Sequence, residues 1–287
     1  MITPFSIFQR KEDVIPLLDD DSKLVYPICE NILFLSKKML NPDSNNFLAF
    51  EQDEAPIAGL YHKQTRLFEQ YLKAYKENNP EICFILNRIL YEAYIKMLYL
   101  INHPQDIKEY RALSYKPHVD ILGNSLLANT PNAKVLKRKF EDSIAVEGLT
   151  IDEINKARKN PGGKNFRQMQ QLYENDALYS PIYGMTSDSI HSGWNEIRQM
   201  YLRYNEDTRQ YVADIDFHAV LHYRLLLSVA DILINSSISY YNWLRNLFSG
   251  ILPGLDFFLE EFKRVCHLIS EVVIDTYSNN PDEYLYK

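Results

Sequence analysis

Apolar residues recur at intervals of three and four along nearly the whole chain, and sustained period-two alternation bounded by turn residues is scarce. This pattern predicts an all-α fold, a multi-helix bundle. Predicted helices cover residues 22–40, 55–78, 81–102, 105–128, 132–145, 151–159, 166–175, 181–192, 195–204, 214–236, 239–249 and 254–278. Thr150, with Glu153 three residues on, reads as a capping box, and "NPGG" at 160–163 reads as the stop of that helix. A single helical domain over 1–287 is expected, with a subdivision into 1–130 and 131–287.

Composition supports a folded chain: 46% of residues are hydrophobic and 24% charged, far from the balance of disordered sequences. The first residues lack a basic stretch followed by an apolar run, so no secretory leader is expected. The most apolar window, "HAVLHYRLLLSVADILI", contains His218, His222, Arg224 and Asp231 and is too polar for a bilayer-spanning helix. Cys29, Cys83 and Cys266 are scattered and suggest neither a disulfide framework nor a zinc site, which fits the cytoplasm. A net charge of −7 argues against a surface built broadly for nucleic acid. One stretch departs from it: nine cations face five carboxylates between residues 134 and 167, either a solvated helix face with a loop or a track for a polyanion.

Two motifs carry candidate chemistry. "YGMTSDSIHSGW" sets Tyr183, Ser187 and His191 four residues apart on one predicted helix. Steps of four advance only about 40° around the axis and about 6 Å along it, so the three form a polar stripe. His191 lies in the last turn, where the carbonyl dipoles favour an imidazolium. "RILYE" places Arg88 and Glu92 four apart in a helix that is apolar nearly all round. A charge pair there costs desolvation and needs polar neighbours, so Arg88, Glu92, Tyr183, Ser187 and His191 are expected to converge. Asp214, His218 and His222 form a third ladder, but Ala219 stands where a zincin carries Glu. The glycines before Lys164 have no preceding strand, and Asn165 stands where a phosphate loop needs Ser or Thr. No metal or cofactor site is therefore assigned.

An Arg-x-x-x-Glu in an early apolar helix, followed roughly 90 residues later by Tyr-x-x-x-Ser-x-x-x-His and a small residue, resembles the bacterial proteins grouped as domain of unknown function 5677. That resemblance implies an all-helical fold. By analogy with HEPN-type helical bundles it points to an effector or toxin of a phage-defence or toxin–antitoxin system. The implied activity is metal-independent RNA cleavage, with Arg88, Glu92, Tyr183, Ser187 and His191 as the catalytic set. The implied partners are RNA, a neighbouring defence or antitoxin protein and a second copy of the chain, with no membrane. The Arg111-to-His118 stretch matches the spacing of the HEPN ribonuclease signature, but one such match is expected by chance and Pro117 precedes the histidine. Two alternatives stand beside this reading: a non-catalytic helical interaction module in which the same five residues fix helix register, and a metal-dependent phosphohydrolase using His218 and His222.

Overall fold

The computed structural model describes residues 8–18, 20–42, 48–123, 130–158, 160–173, 194–214 and 221–278. Its helices are α1 (Lys11–Val14), α2 (Asp21–Leu24), α3 (Tyr26–Leu40), α4 (Ala55–Lys76), α5 (Pro80–Asn102), α6 (Ile107–Gly123), α7 (Pro131–Val146), α8 (Ile151–Lys156), α9 (Phe166–Gln170), α10 (Trp194–Tyr201), α11 (Tyr223–Leu247) and α12 (Leu255–Ser278). Short 3-10 turns occur at Ile15–Leu17, Pro104–Asp106 and Pro161–Gly163. Among the described residues one antiparallel hairpin, β1 (Leu202–Asn205) and β2 (Gln210–Ala213), interrupts an otherwise helical structure. The all-α multi-helix architecture is thus present. The chain forms two compact units, the first built from 1–48, 60–94 and 176–287, the second from 49–59 and 95–175.

In the first unit α11 packs against both α12 and α3. Leu226, Val229, Leu233 and Leu244 of α11, Phe262, Val265 and Ile269 of α12, and Ile28 and Ile32 of α3 are all buried. The three cysteines are buried in this unit too, and none is in a disulfide. At its centre Tyr61 and Ser237 share a hydrogen bond of 2.8 Å, and Ser36 lies 3.3 Å from Ser237, so three hydroxyls from α3, α4 and α11 satisfy one another. Tyr240 stacks on Tyr61 at 4.0 Å between centroids.

This knot explains one departure from the predicted helices. The run "SSIS" reads in the sequence as a break between two helices, whereas α11 continues through it. Ser237 is held by the buried knot, and Ser239 bonds back to the carbonyl of Asn235 at 2.9 Å, so serines that favour helix ends elsewhere are satisfied inside one. Pro27 explains another: with its fixed φ and missing N–H it suits a first turn, so the helix predicted from residue 22 divides, with α3 starting beside it. The helix expected to reach residue 204 ends at Tyr201. There the chain enters the hairpin, in which Tyr204 pairs with Tyr211 and Arg203 with Val212. Asn205 caps its turn by accepting from the Thr208 amide at 3.1 Å. The helix predicted over 181–192 lies outside the described residues.

The second unit is organised by α6, which packs on α7 and α8. Ala112, Phe140, Ile144, Leu149, Ile154 and Ala157 form its core. The capping box at α8 is present: Thr150 accepts from the Glu153 amide at 3.2 Å and Glu153 accepts from the Thr150 amide at 2.8 Å. Helix α6 continues through Pro117. Arg111, on the same helix, is buried and donates to Asp53 at 2.8 Å and to the Glu147 carboxylate at 2.7 Å. His118 is exposed and stacks on Phe140. The Arg111-to-His118 stretch therefore serves packing and ion pairing.

The buried hydroxyls make a paired stability prediction. Ser237→Ala strips Tyr61 and Ser36 of a partner and is expected to lower unfolding free energy by about 1–3 kcal/mol. The Tyr240 hydroxyl is buried with no hydrogen-bond partner among the described residues, so Tyr240→Phe is expected to leave stability unchanged or raise it. Urea titrations of both variants check the contrast.

Candidate functional site

Arg88 and Glu92 lie one turn apart on α5, in the first unit. Arg88 retains 8% exposure and Glu92 is half-buried, among the buried side chains of Leu90, Tyr91, Ala93 and Tyr94. Tyr183, Ser187 and His191, the other members of the predicted set, lie outside the described residues, as does His218. Asp214 is half-buried and its amide donates to the Tyr201 carbonyl at 2.9 Å, closing the hairpin. His222 caps α11, its Nδ1 accepting from the Arg224 amide at 3.2 Å and lying 3.1 Å from the Arg224 Nε. Among the described residues no group of three or more His, Cys, Asp or Glu is arranged to hold a metal ion.

A polar centre that the sequence reading did not single out sits in the second unit, where α5 ends, α6 begins and the "NPGG" loop folds back. Tyr99 donates a short hydrogen bond to Asp106. The His103 ring stacks on Tyr99, 4.3 Å between centroids and 10° from parallel. Its Nδ1 lies 3.1 Å from the Tyr99 carbonyl oxygen and 3.2 Å from the Tyr173 hydroxyl. Lys164 Nζ sits 5.7 Å from the Tyr99 ring centroid, within cation–π range. Burial, followed by the Asp106 hydrogen bond, raises the Tyr99 phenol above its ordinary range, so the group acts as a donor.

Beside it Glu109 is clasped from several sides. Arg158 donates through Nε at 2.8 Å, through Nη2 at 2.7 Å and through its own amide at 3.1 Å. The Gly162 amide donates to the same carboxylate at 3.1 Å. The glycine loop thus spends this amide on an internal carboxylate. Gly162 has φ +59°, and a Cβ there would run into the Tyr99 hydroxyl and the Asp106 carboxylate, so two independent constraints require glycine. The Arg158 side chain, with the backbone donors, pulls the Glu109 carboxyl down to about 2. The sequence signals were a Tyr and a His four apart at a helix end and two consecutive glycines, each too common to stand out alone.

A surface cleft of about 490 Å³ in the first unit is lined by Asp231, Lys263, Arg264, Cys266, His267 and neighbours. Several of its polar groups are engaged with neighbours: Asp231 accepts from Asn235 at 3.0 Å, His267 lies 3.1 Å from Glu271, and Arg264 donates to Glu261 at 3.0 Å and to the Phe8 carbonyl at 3.2 Å. Burial pushes the Cys266 thiol up to about 12, far from a reactive thiolate.

A helical protein carrying the Arg88–Glu92 pair ahead of a Tyr-Ser-His motif is the class that these observations define. Residues 54–225, which include both motifs, match the model of the family of unknown function DUF5677, and the chain belongs to that family. No curated protein and no solved structure matches the chain. Among the described residues no helix is long and apolar enough to cross a membrane.

The Glu109 clasp yields a pH prediction. A carboxyl depressed from 4.5 to about 2 stabilises the fold fully above 4.5, and this contribution is lost as pH falls toward 2. Glu109→Gln is expected to cost on the order of 2 kcal/mol at neutral pH, the partial solvent exposure of the pair keeping it below the full linkage value. The gap between wild type and variant in urea unfolding should shrink by more than half at pH 3.

Proposed function

We propose that this chain is a HEPN-like effector of a bacterial phage-defence or toxin–antitoxin system that cleaves RNA by acid–base chemistry. His191 moves a proton at the attacking 2′-hydroxyl or the leaving oxygen, its ordinary pKa lying near neutrality. Arg88 stabilises charge developing on the phosphorane, Glu92 orients Arg88, and Tyr183 and Ser187 donate to phosphate oxygens. The observation that carries the reading is Arg88 itself, a guanidinium kept 8% exposed in a helix otherwise rich in buried apolar side chains. Stability alone is a poor reason to keep such a charge, because a well-packed apolar residue serves the core as well or better. Helix α7 supplies a second support: Lys134, Lys137, Arg138 and Lys139 are all exposed, and Lys134, Arg138 and Lys139 form no ion pair among the described residues.

The same 8% exposure also favours a second reading, in which Arg88 belongs to a sealed polar network that fixes helix register in a non-catalytic interaction module. The histidine ladder gains no support from His222, whose Nδ1 is engaged at the start of α11.

Mixed RNA incubated with purified protein should be cut to products ending in cyclic phosphate, with or without EDTA. His191→Gln, which keeps much of the size and hydrogen bonding but not the proton transfer, should reduce the rate by about 100-fold or more. Cleavage lost in EDTA and restored by divalent metal would overturn the mechanism, and no cleavage under any condition would favour the interaction module. For that module Arg88→Ala should destabilise by about 3 kcal/mol and Arg88→Met by less, since Met fills the space that Ala leaves open. Thermal melts in which neither substitution matters would remove both readings of Arg88.

A further inference from the structure

Helix α10 and the hairpin display three aromatic rings to solvent. Trp194 is 59% exposed, Tyr204 48% and Tyr211 45%. They touch one another: Trp194 meets Tyr211 edge-on at 5.6 Å between centroids, and Tyr204 lies 5.1 Å from Tyr211 across the strands. All four positions of β2, and three of the four in β1, are exposed. A two-stranded hairpin with so little burial is marginal by itself. These rings are therefore not core residues of the unit; they are what the hairpin presents. Exposed, contiguous aromatic surface of this kind marks a binding site.

The position in the chain and the local charge narrow the occupant. Trp194 follows His191 by three residues, a reach of at most about 11 Å even for extended chain. Exposed Arg198, Arg203 and Arg209 line the helix and hairpin, with exposed Glu206 and Asp207 at the turn between the strands. Such a balance of charge attracts a polyanion weakly, so recognition falls to the ring faces, and every nucleobase offers a matching π-face when unpaired.

We propose that Trp194, Tyr204 and Tyr211 form a stacking platform for the unpaired bases of single-stranded RNA next to the His191 motif. The proposal rests on the RNA-cleaving reading above and adds the form of its substrate. The platform selects single strands, because a duplex keeps its bases stacked internally, and its contribution to binding depends only shallowly on salt.

The test uses the full chain carrying His191→Ala, which prevents turnover, and the fluorescence anisotropy of labelled oligoadenylate, the corresponding duplex and an abasic oligomer. Oligoadenylate should bind tighter than either of the others. Trp194→Ala and Tyr211→Ala should each weaken it by roughly tenfold, and Trp194→Phe, which keeps a ring, by much less. Circular dichroism of each variant verifies folding. Equal binding of oligoadenylate and abasic oligomer would overturn the platform while leaving RNA cleavage by the wild type standing. So would ring variants that bind as the parent does, or a ring-dependent self-association in gel filtration that RNA does not disrupt. Absence of both binding and cleavage with every RNA would overturn the platform together with the reading beneath it.

Discussion

The first unit depends on a constraint that hydrophobic patterning does not express: a hydroxyl taken out of water must find a partner. Ser36, Tyr61 and Ser237 meet this demand among themselves, each fully or almost fully buried and each from a different helix. Apolar contacts tolerate sliding by a fraction of a turn, whereas a hydrogen bond of 2.8 Å does not. The knot thus fixes the axial register of α3, α4 and α11, and Arg88 and Glu92 on α5 belong to the unit that this register organises.

The second unit meets the same demand with charge. Glu109 gathers the Arg158 side chain and two backbone amides, so a loop containing consecutive glycines is anchored to α6 by one carboxylate. Tyr99 and Asp106 press against the same loop at Gly162. Arg111 repeats the strategy elsewhere in the unit, tying Asp53 and Glu147 to α6. On α7 the exposed cations Lys134, Lys137, Arg138 and Lys139 outnumber the exposed carboxylates Glu141 and Asp142.

Most helices were legible because a period near 3.6 accumulates over many residues. The Thr150–Glu153 capping box was legible because its two hydrogen bonds are local. What escaped the sequence was settled by tertiary partners or by brevity. The serines at 236, 237 and 239 look like a break until Tyr61 and Ser36 are brought alongside. Four-residue strands are too short for alternation to register, so β1 reads as the end of a helix and β2 as a connection between helices. The Tyr99–His103–Asp106–Glu109 centre draws Arg158 and Gly162 from about 50 residues away, and no local spacing announces them. Arg88 was legible as a buried charge because its neighbours are so uniformly apolar.

Cys29, Cys83 and Cys266 all lie in the first unit, with exposures of 0%, 1% and 3%, and the second unit has no cysteine. Their burial raises each thiol's pKa, so even the small thiolate population of an ordinary cysteine is suppressed. A thiol-alkylating reagent in solution therefore meets nothing reactive until the first unit opens. The rate of alkylation is a clock for that opening alone, blind to fluctuations confined to the other unit, and it requires no engineered label.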